Sequence, residues 1–220
     1  MLTDRTDLFS MTDGAKRRSR RRPAARVCTV VLVRHAASEG AGKFAGQTDE
    51  PLSKEGRRQL NKLAQKLSKF RFDAIFASDL KRAVETARPA AERQKITIQA
   101  RPGLREMHFG RWQGLSWQQI QRRESRAADL WLKHFPSQSI PGAEKFRQFK
   151  RRVKVELEAI VDANQGRCVL IVTHAGVIRV ALGAALGMKD ENTFRLAQDP
   201  CGVNVVEHFS GGLTVRCVNA

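Results

Sequence analysis

Val27-Cys28-Thr29-Val30-Val31-Leu32-Val33, followed at once by Arg34-His35, decides the architecture. The run is too short for a stable helix and rich in β-branched residues. It is also apolar at successive positions rather than alternate ones, which describes a central strand covered on both faces. A polar Arg-His pair directly after such a strand stands where α/β sheets carry their chemistry.

Outward from this strand, Leu60, Leu63, Ala64, Leu67 and Phe70 recur at helical spacing behind Ser53, an N-cap candidate. Ala74-Ile75-Phe76-Ala77 reads as a second strand. Ser78 and Asp79 are expected to open a helix reaching about Ala91, and Ile96-Thr97-Ile98 to form a third strand. Between Arg101 and Pro141 the pattern breaks into loops and short helices carrying Trp112, Trp117 and Trp131, which suggests an insertion over one end of the sheet. Phe146, Phe149, Val153, Leu157, Ile160 and Val161 mark a long amphipathic helix. The strand Cys168 to Val172 follows it, then a helix from about Ala175. Val203 to Phe209 and Leu213 to Val218 flank Ser210-Gly211-Gly212 as a β-hairpin. The expected fold is therefore α/β, with a mixed, mostly parallel central sheet flanked by helices and an antiparallel C-terminal hairpin.

A chain of 220 residues that is 41% hydrophobic and 28% charged can bury a core without staples, and its apolar runs are too short to cross a bilayer. Forty basic against 22 acidic side chains give +18, and 27 of the basic residues are Arg, suited to forked contact with phosphate or carboxylate. An anionic partner is expected. Residues 1–26 hold eight basic and three acidic side chains, including Lys16-Arg17-Arg18-Ser19-Arg20-Arg21-Arg22. They read as a disordered basic tail preceding a domain over 27–220, with an anchor on nucleic acid or an acidic membrane as the alternative. Met11 offers a second start. Cys28, Cys168, Cys201 and Cys217 lack metal-ligand spacing and read as reduced core residues of a cytoplasmic protein.

Four expected strand ends carry polar groups: Arg34-His35, Ser78-Asp79 with Arg82 one turn on, Arg105-Glu106, and Thr173-His174. Each alone has a bland reading as a satisfied core or surface residue, but their joint placement points to one pocket. No phosphate-binding Gly-rich loop, dinucleotide fingerprint or carboxylate cluster for a divalent cation accompanies them, so neither metal nor cofactor is expected. The set suits phosphoryl transfer. Arg34 and Arg82 can fork phosphate oxygens, and amides opening the helix after His174 can add to the cradle. A neutral imidazole can attack phosphorus, and Glu106 is placed to protonate a leaving alkoxide.

At this point the chain resembles the histidine phosphatase superfamily, with its phosphoglycerate mutase-like fold. The resemblance rests on five ordered stretches: Leu32-Val33-Arg34-His35-Ala36, Gly46-Gln47-Thr48 through Gly56, Ala77-Ser78-Asp79 through Ala87, Leu104-Arg105-Glu106 through Gly114, and Val172-Thr173-His174-Ala175 through Arg179. It implies that His35 is the nucleophile that becomes phosphohistidine. Arg34, Arg82, His174 and Ser38 are implied as the phosphate pocket, with Glu106 as general acid and base. Gln47, Thr48 and Ala175 are implied as weaker substrate contacts. Two departures stand out: Ala36 replaces the family's usual Gly, and Ala41 stands where many members carry an Asn that contacts phosphate.

The resemblance implies a metal-independent phosphomonoesterase acting on a small phosphorylated substrate. Its pattern is most similar to the α-ribazole phosphatase branch of cobalamin assembly, which makes α-ribazole 5′-phosphate a candidate substrate. A phosphoglycerate mutase is the alternative, although the chain has no tyrosine where mutases carry a Tyr motif after the acid Glu. A second alternative is an inactive fold that binds nucleic acid or a phosphoprotein. Lys43, Arg105 and Arg111 are further candidates for recognising an anionic substrate, whereas His108, His134 and His208 read as structural or surface residues, with the pocket mouth as the alternative for His108. Monomer and dimer are equally open.

Overall fold

The structure, a computed structural model, describes residues 27–210 and 212–220. The basic segment 1–26 lies outside the described residues. Six strands form one sheet in the order β3-β2-β4-β1-β5-β6: β1 (Cys28–Arg34), β2 (Ala74–Ala77), β3 (Ile98–Ala100), β4 (Cys168–Thr173), β5 (Val203–Phe209) and β6 (Gly212–Cys217). The first four are mutually parallel, whereas β5 runs antiparallel to β1 and β6 antiparallel to β5. The mixed sheet and closing hairpin are those expected. The third strand begins two residues later than Ile96.

Alternation along the strands explains the layers. Val30, Leu32, Phe76, Val169 and Ile171 face one core together with α4 (Phe146–Ala163) and α5 (Ala175–Ala185). Val31, Val33, Ile75, Leu170 and Val172 face the other with α1 (Lys54–Leu67) and α2 (Lys81–Gln94). Each such aliphatic side chain contributes about 1.5–3 kcal/mol on full burial, and both faces of β1 and β4 are covered. Truncating Leu170, which has no exposed surface, should cost about 2–5 kcal/mol.

The Ser53 hydroxyl caps α1 by accepting from the Gly56 amide at 3.1 Å. In contrast, α2 starts at Lys81 rather than at Ser78-Asp79, and its N-cap Leu80 makes no side-chain cap bond. The Ser78 hydroxyl is engaged by His174, and the Asp79 carboxylate receives two bonds from Arg105, at 2.7 and 2.6 Å. The segment between Arg101 and Pro141 contains α3 (Trp117–His134), longer than the short helices expected and kinked at Glu124. It carries its own small core of Trp112, Ile120, Ala128, Trp131 and Ile140.

The chain leaves β1 through α1 on one face and leaves β4 through α5 on the other, so the crevice beyond the carboxyl ends of this adjacent pair is a switch point. Among the described residues, no helix is long and apolar enough to cross a membrane.

Candidate active site

The parallel register of β1 and β4 pairs Arg34 with Thr173, and the His35 amide donates to the Thr173 carbonyl at 2.8 Å. The residues that follow each strand are thereby set side by side: the rings of His35 and His174 lie 5.0 Å apart, edge to face. Ser78 enters from the end of β2, where its amide donates to Val172 O at 3.0 Å. Its hydroxyl lies 2.9 Å from His174 Nε2.

Tautomers follow from these contacts. His35 Nδ1 sits 2.7 Å from the Ala36 carbonyl, an acceptor only, so Nδ1 carries the proton and Nε2 presents a lone pair. Arg82 Nε donates to that lone pair at 3.3 Å. Burial, and after it the Arg82 guanidinium, pulls the His35 pKa down to about 3, with the bond to the Ala36 carbonyl opposing the shift and Arg34 adding a smaller push in the same direction as Arg82. His174 is held well below the ordinary imidazole value, chiefly by burial and then by His35 and the same arginines. Both rings are neutral at physiological pH.

Arg82 is 1% exposed and anchored by donation to the carbonyls of Thr48 and Gly46, each at 2.6 Å. Gly46 has φ +51°, and a Cβ there would lie 2.5 Å from Gln113 Oε1, so this turn requires glycine. Arg34 Nη1 donates to the Gln198 carbonyl. Four side-chain polar atoms among the described residues are buried without a hydrogen-bond partner, Glu50 Oε2, His208 Nδ1 and, at this site, Arg34 Nε and His174 Nδ1. Burial lowers the pKa of both Arg34 and Arg82, the penalty of holding two cations out of water.

Glu106 reaches the site on a loop tied to β4, where Thr173 Oγ1 donates to the Leu104 carbonyl at 2.7 Å. Its carboxylate accepts from the amides of Met107 and Gly176, each at 2.9 Å. One of the helix amides expected to cradle an anion is thus bound to Glu106. A Cβ at Gly176 would lie 2.1 Å from Glu106 Oε1, so any larger residue there would displace the Glu106 carboxylate. Behind this loop, Arg152 donates to the carbonyls of Gly103, Arg105 and Glu106 while paired with Glu144 at 2.8 Å.

Arg34, His35, Ser38, Arg82, Glu106, His174 and Ala175 line one cavity of about 550 Å³. Gln47 and Thr48 do not. The Gln47 amide donates to the Glu106 carbonyl at 3.0 Å, and Thr48 serves Arg82 through its backbone oxygen. Of the further cations considered, Lys43 lines the cavity, while Arg105 is bound to Asp79 and Arg111 lies 3.8 Å from Glu124. His108 stands outside, its Nδ1 accepting from the Gly110 amide. Ala41 is on the wall. Ala36 is fully buried, is absent from the non-glycine residues with positive φ, and donates its amide to Thr86 Oγ1 at 3.0 Å. The backbone here therefore accepts a methyl group. The large apolar part of the wall, Phe44, Phe109, Trp117, Trp131, Leu132 and Phe194, was not legible in the sequence as part of the site. Among the described residues, no group of three or more His, Cys, Asp or Glu is disposed to hold a metal ion.

Residues 30–220 match the model of the histidine phosphatase superfamily, branch 1. The chain belongs to that superfamily. A metal-independent phosphoserine phosphatase of Arabidopsis thaliana is 35% identical over 161 residues, covering 70% of this chain and 66% of the relative. The adenosylcobalamin/α-ribazole phosphatase of Escherichia coli is 24% identical over 191 residues, covering 86% of this chain and 94% of the relative. The crystal structure of a mycobacterial glucosyl-3-phosphoglycerate phosphatase superposes with a TM-score of 0.79 at 26% identity, covering 89% of this chain and all of that one. The fold is phosphoglycerate mutase-like, and the chain is a phosphatase of its superfamily.

Proposed function

We propose that the domain over 27–220 hydrolyses a small anionic phosphomonoester in the cytoplasm, without a metal, through a phosphohistidine on His35. The observation that carries this reading is the pair of buried nitrogens without a protein partner, the Arg34 Nε donor and His174 Nδ1, on residues that line the same cavity as the His35 lone pair. Buried polar groups are almost always satisfied, and with the Ser78 hydroxyl donating to His174 Nε2 both nitrogens carry an N–H, so the two open positions beside a nucleophile suit an anionic ligand.

The phosphate would be held by Arg34, Arg82, His174 and the Ser38 hydroxyl. Arg82 Nε, which donates to His35 Nε2 in the free site, would turn its N–H to a phosphate oxygen and release the lone pair. His35 Nε2 attacks phosphorus, the N–P bond forms, the ester P–O bond breaks, and Glu106, entering the step as the carboxylic acid, gives its proton to the leaving alkoxide and becomes the carboxylate. In the second step Glu106 takes a proton from water, the water oxygen attacks phosphorus, and the N–P bond breaks. Inorganic phosphate leaves and the imidazole returns neutral. Guanidinium and N–H donors aimed at the equatorial oxygens stabilise both transition states.

Within this class, α-ribazole 5′-phosphate is the candidate suggested by the name of the Escherichia coli relative. The test is phosphate release, with chelator present, from α-ribazole 5′-phosphate, 3-phosphoglycerate, a sugar phosphate and phosphoserine. Release that resists chelator and disappears in His35→Ala supports the reading. Isomerisation of 3-phosphoglycerate without release, or full activity of His35→Ala, overturns it.

A further inference from the structure

Beyond the phosphate-binding floor, the cavity wall is aromatic and comes from four separate parts of the chain. Phe44 arrives on the loop after β1, Phe109 on the loop after Glu106, Trp117 and Trp131 on α3, and Phe194 on the 3-10 segment Asp190–Arg195. These rings support one another. Phe44 lies 6.1 Å from both Trp117 and Trp131, and Trp131 lies 5.8 Å from Phe194. The Arg179 guanidinium lies 5.3 Å from the Phe194 ring centre and is fixed by donation to the Leu196 carbonyl at 3.0 Å.

Two of the wall residues are unusually open to solvent for their type: Leu132 is 58% exposed and Phe194 47%. Large apolar side chains left open on the wall of one cavity with a polar reaction centre describe a recognition surface. Charge is equally one-sided. Apart from Glu106, which is committed to the reaction, no acidic side chain lines the cavity among the described residues, whereas Lys43 and Arg179 do.

We infer that this wall selects phosphomonoesters whose alcohol carries a flat aromatic ring and no positive charge. The inference rests on the phosphatase reading for its floor and adds the class of leaving group. Ring faces and edges stack against the partly open Phe44, Trp117 and Phe194, which the buried Trp131 backs, so a planar group gains contacts that a polyol cannot. An ammonium group, as in phosphoserine, meets two cations and no spare carboxylate. About 550 Å³ falls in the range of roughly 300–1,000 Å³ usual for small-molecule sites and accommodates a ring beside the phosphate.

Binding and turnover test the two layers separately. Non-hydrolysable 2-phenylethylphosphonate and the phosphonate analogue of phosphoserine are titrated against the full chain, following tryptophan fluorescence. The chain has no tyrosine, and all three tryptophans belong to the aromatic cluster, so the signal reports on this wall. The aromatic phosphonate is expected to bind at least about tenfold tighter and to perturb the emission. Phe194→Ala and Leu132→Ala, both at exposed positions, should reduce that preference several-fold. Equal affinity, tighter binding of the amino acid analogue, or unchanged selectivity in both variants overturns the inference. Hydrolysis of 2-phenylethyl phosphate and phosphoserine is measured in parallel. Aromatic preference in binding without turnover of either ester supports the wall and sinks the phosphatase reading, whereas preferred turnover of phosphoserine does the reverse.

Discussion

Arg82 Nε lies 3.3 Å from His35 Nε2 and donates its N–H to the lone pair that must attack phosphorus. The same guanidinium is pinned through its other two nitrogens to the carbonyls of Thr48 and Gly46. It therefore holds the nucleophile in place and is poised to pass that N–H to substrate. Arg82→Lys keeps a charge but loses the planar fork and the Nε donor. Its kcat/KM is expected to fall roughly 10²–10³-fold, with a lower thermal midpoint because two buried carbonyls lose their donors. A loss below threefold would assign Arg82 a structural role only.

The nucleophilic histidine should stay silent in a titration. With its pKa pulled to about 3, the His35 imidazole takes no proton between pH 8 and pH 5, and His174 is shifted in the same direction by burial. Proton NMR of the ring carbons checks this directly. The unfolded chain, in which histidine titrates near 6.5, binds more protons than the native state below that pH, so stability falls as pH drops from about 6.5 towards 3. Part of that slope should vanish in His35→Gln. Ring shifts with a midpoint near 6.5 assigned to His35 would contradict the burial and guanidinium argument.

Glu106→Gln should reveal the proton donor through leaving groups rather than through one rate. An alkyl ester needs its alkoxide protonated, whereas p-nitrophenolate leaves unaided. The alkyl substrate is expected to lose roughly 10²–10⁴-fold in kcat, and formation of phosphoenzyme from p-nitrophenyl phosphate far less. Equal losses for both would remove Glu106 from the acid role.

Arg152 is a positioning residue on the far side of that loop, joined to the carbonyls of Gly103, Arg105 and Glu106 and to the Glu144 carboxylate. Arg152→Met should lower kcat by about tenfold or more while leaving the affinity for inorganic phosphate within about twofold, with partial recovery in Arg152→Lys. A change confined to phosphate affinity would exclude the positioning role.

Ala36, where the family usually has glycine, tests whether the departure weakens the site. The residue is fully buried in the core that packs α1 and α2 on the sheet, and its backbone needs no positive φ. Ala36→Gly should therefore destabilise the protein by roughly 1 kcal/mol and bring no gain in kcat. A clear gain in rate would locate a steric cost at this methyl group.

Much of this architecture was legible because strand ends and apolar runs are local signals. The uninterrupted run into Arg34-His35 named the central strand, and the strand-end rule gathered Arg34, His35, Arg82, Glu106 and His174, which the structure brings to one cavity. What escaped depends on distant partners. Ser78 and Asp79 look like helix caps, but His174 and Arg105 draw their side chains away, so α2 starts at Lys81. Thr48 acts through its carbonyl, a group every residue carries and no pattern distinguishes. Phe44, Trp131 and Phe194 are ordinary core letters until the insertion and the Asp190–Arg195 segment fold together over the crevice.

The most direct test of the central claim is chemical trapping. Wild-type protein mixed with ³²P-labelled ester and quenched in alkali within milliseconds should carry one acid-labile, alkali-stable phosphoryl group, mapped by peptide mass to Nε2 of His35 and absent from His35→Ala. A wild-type chain that releases phosphate without ever carrying label, or a His35→Ala chain that still becomes labelled, would contradict the phosphohistidine account.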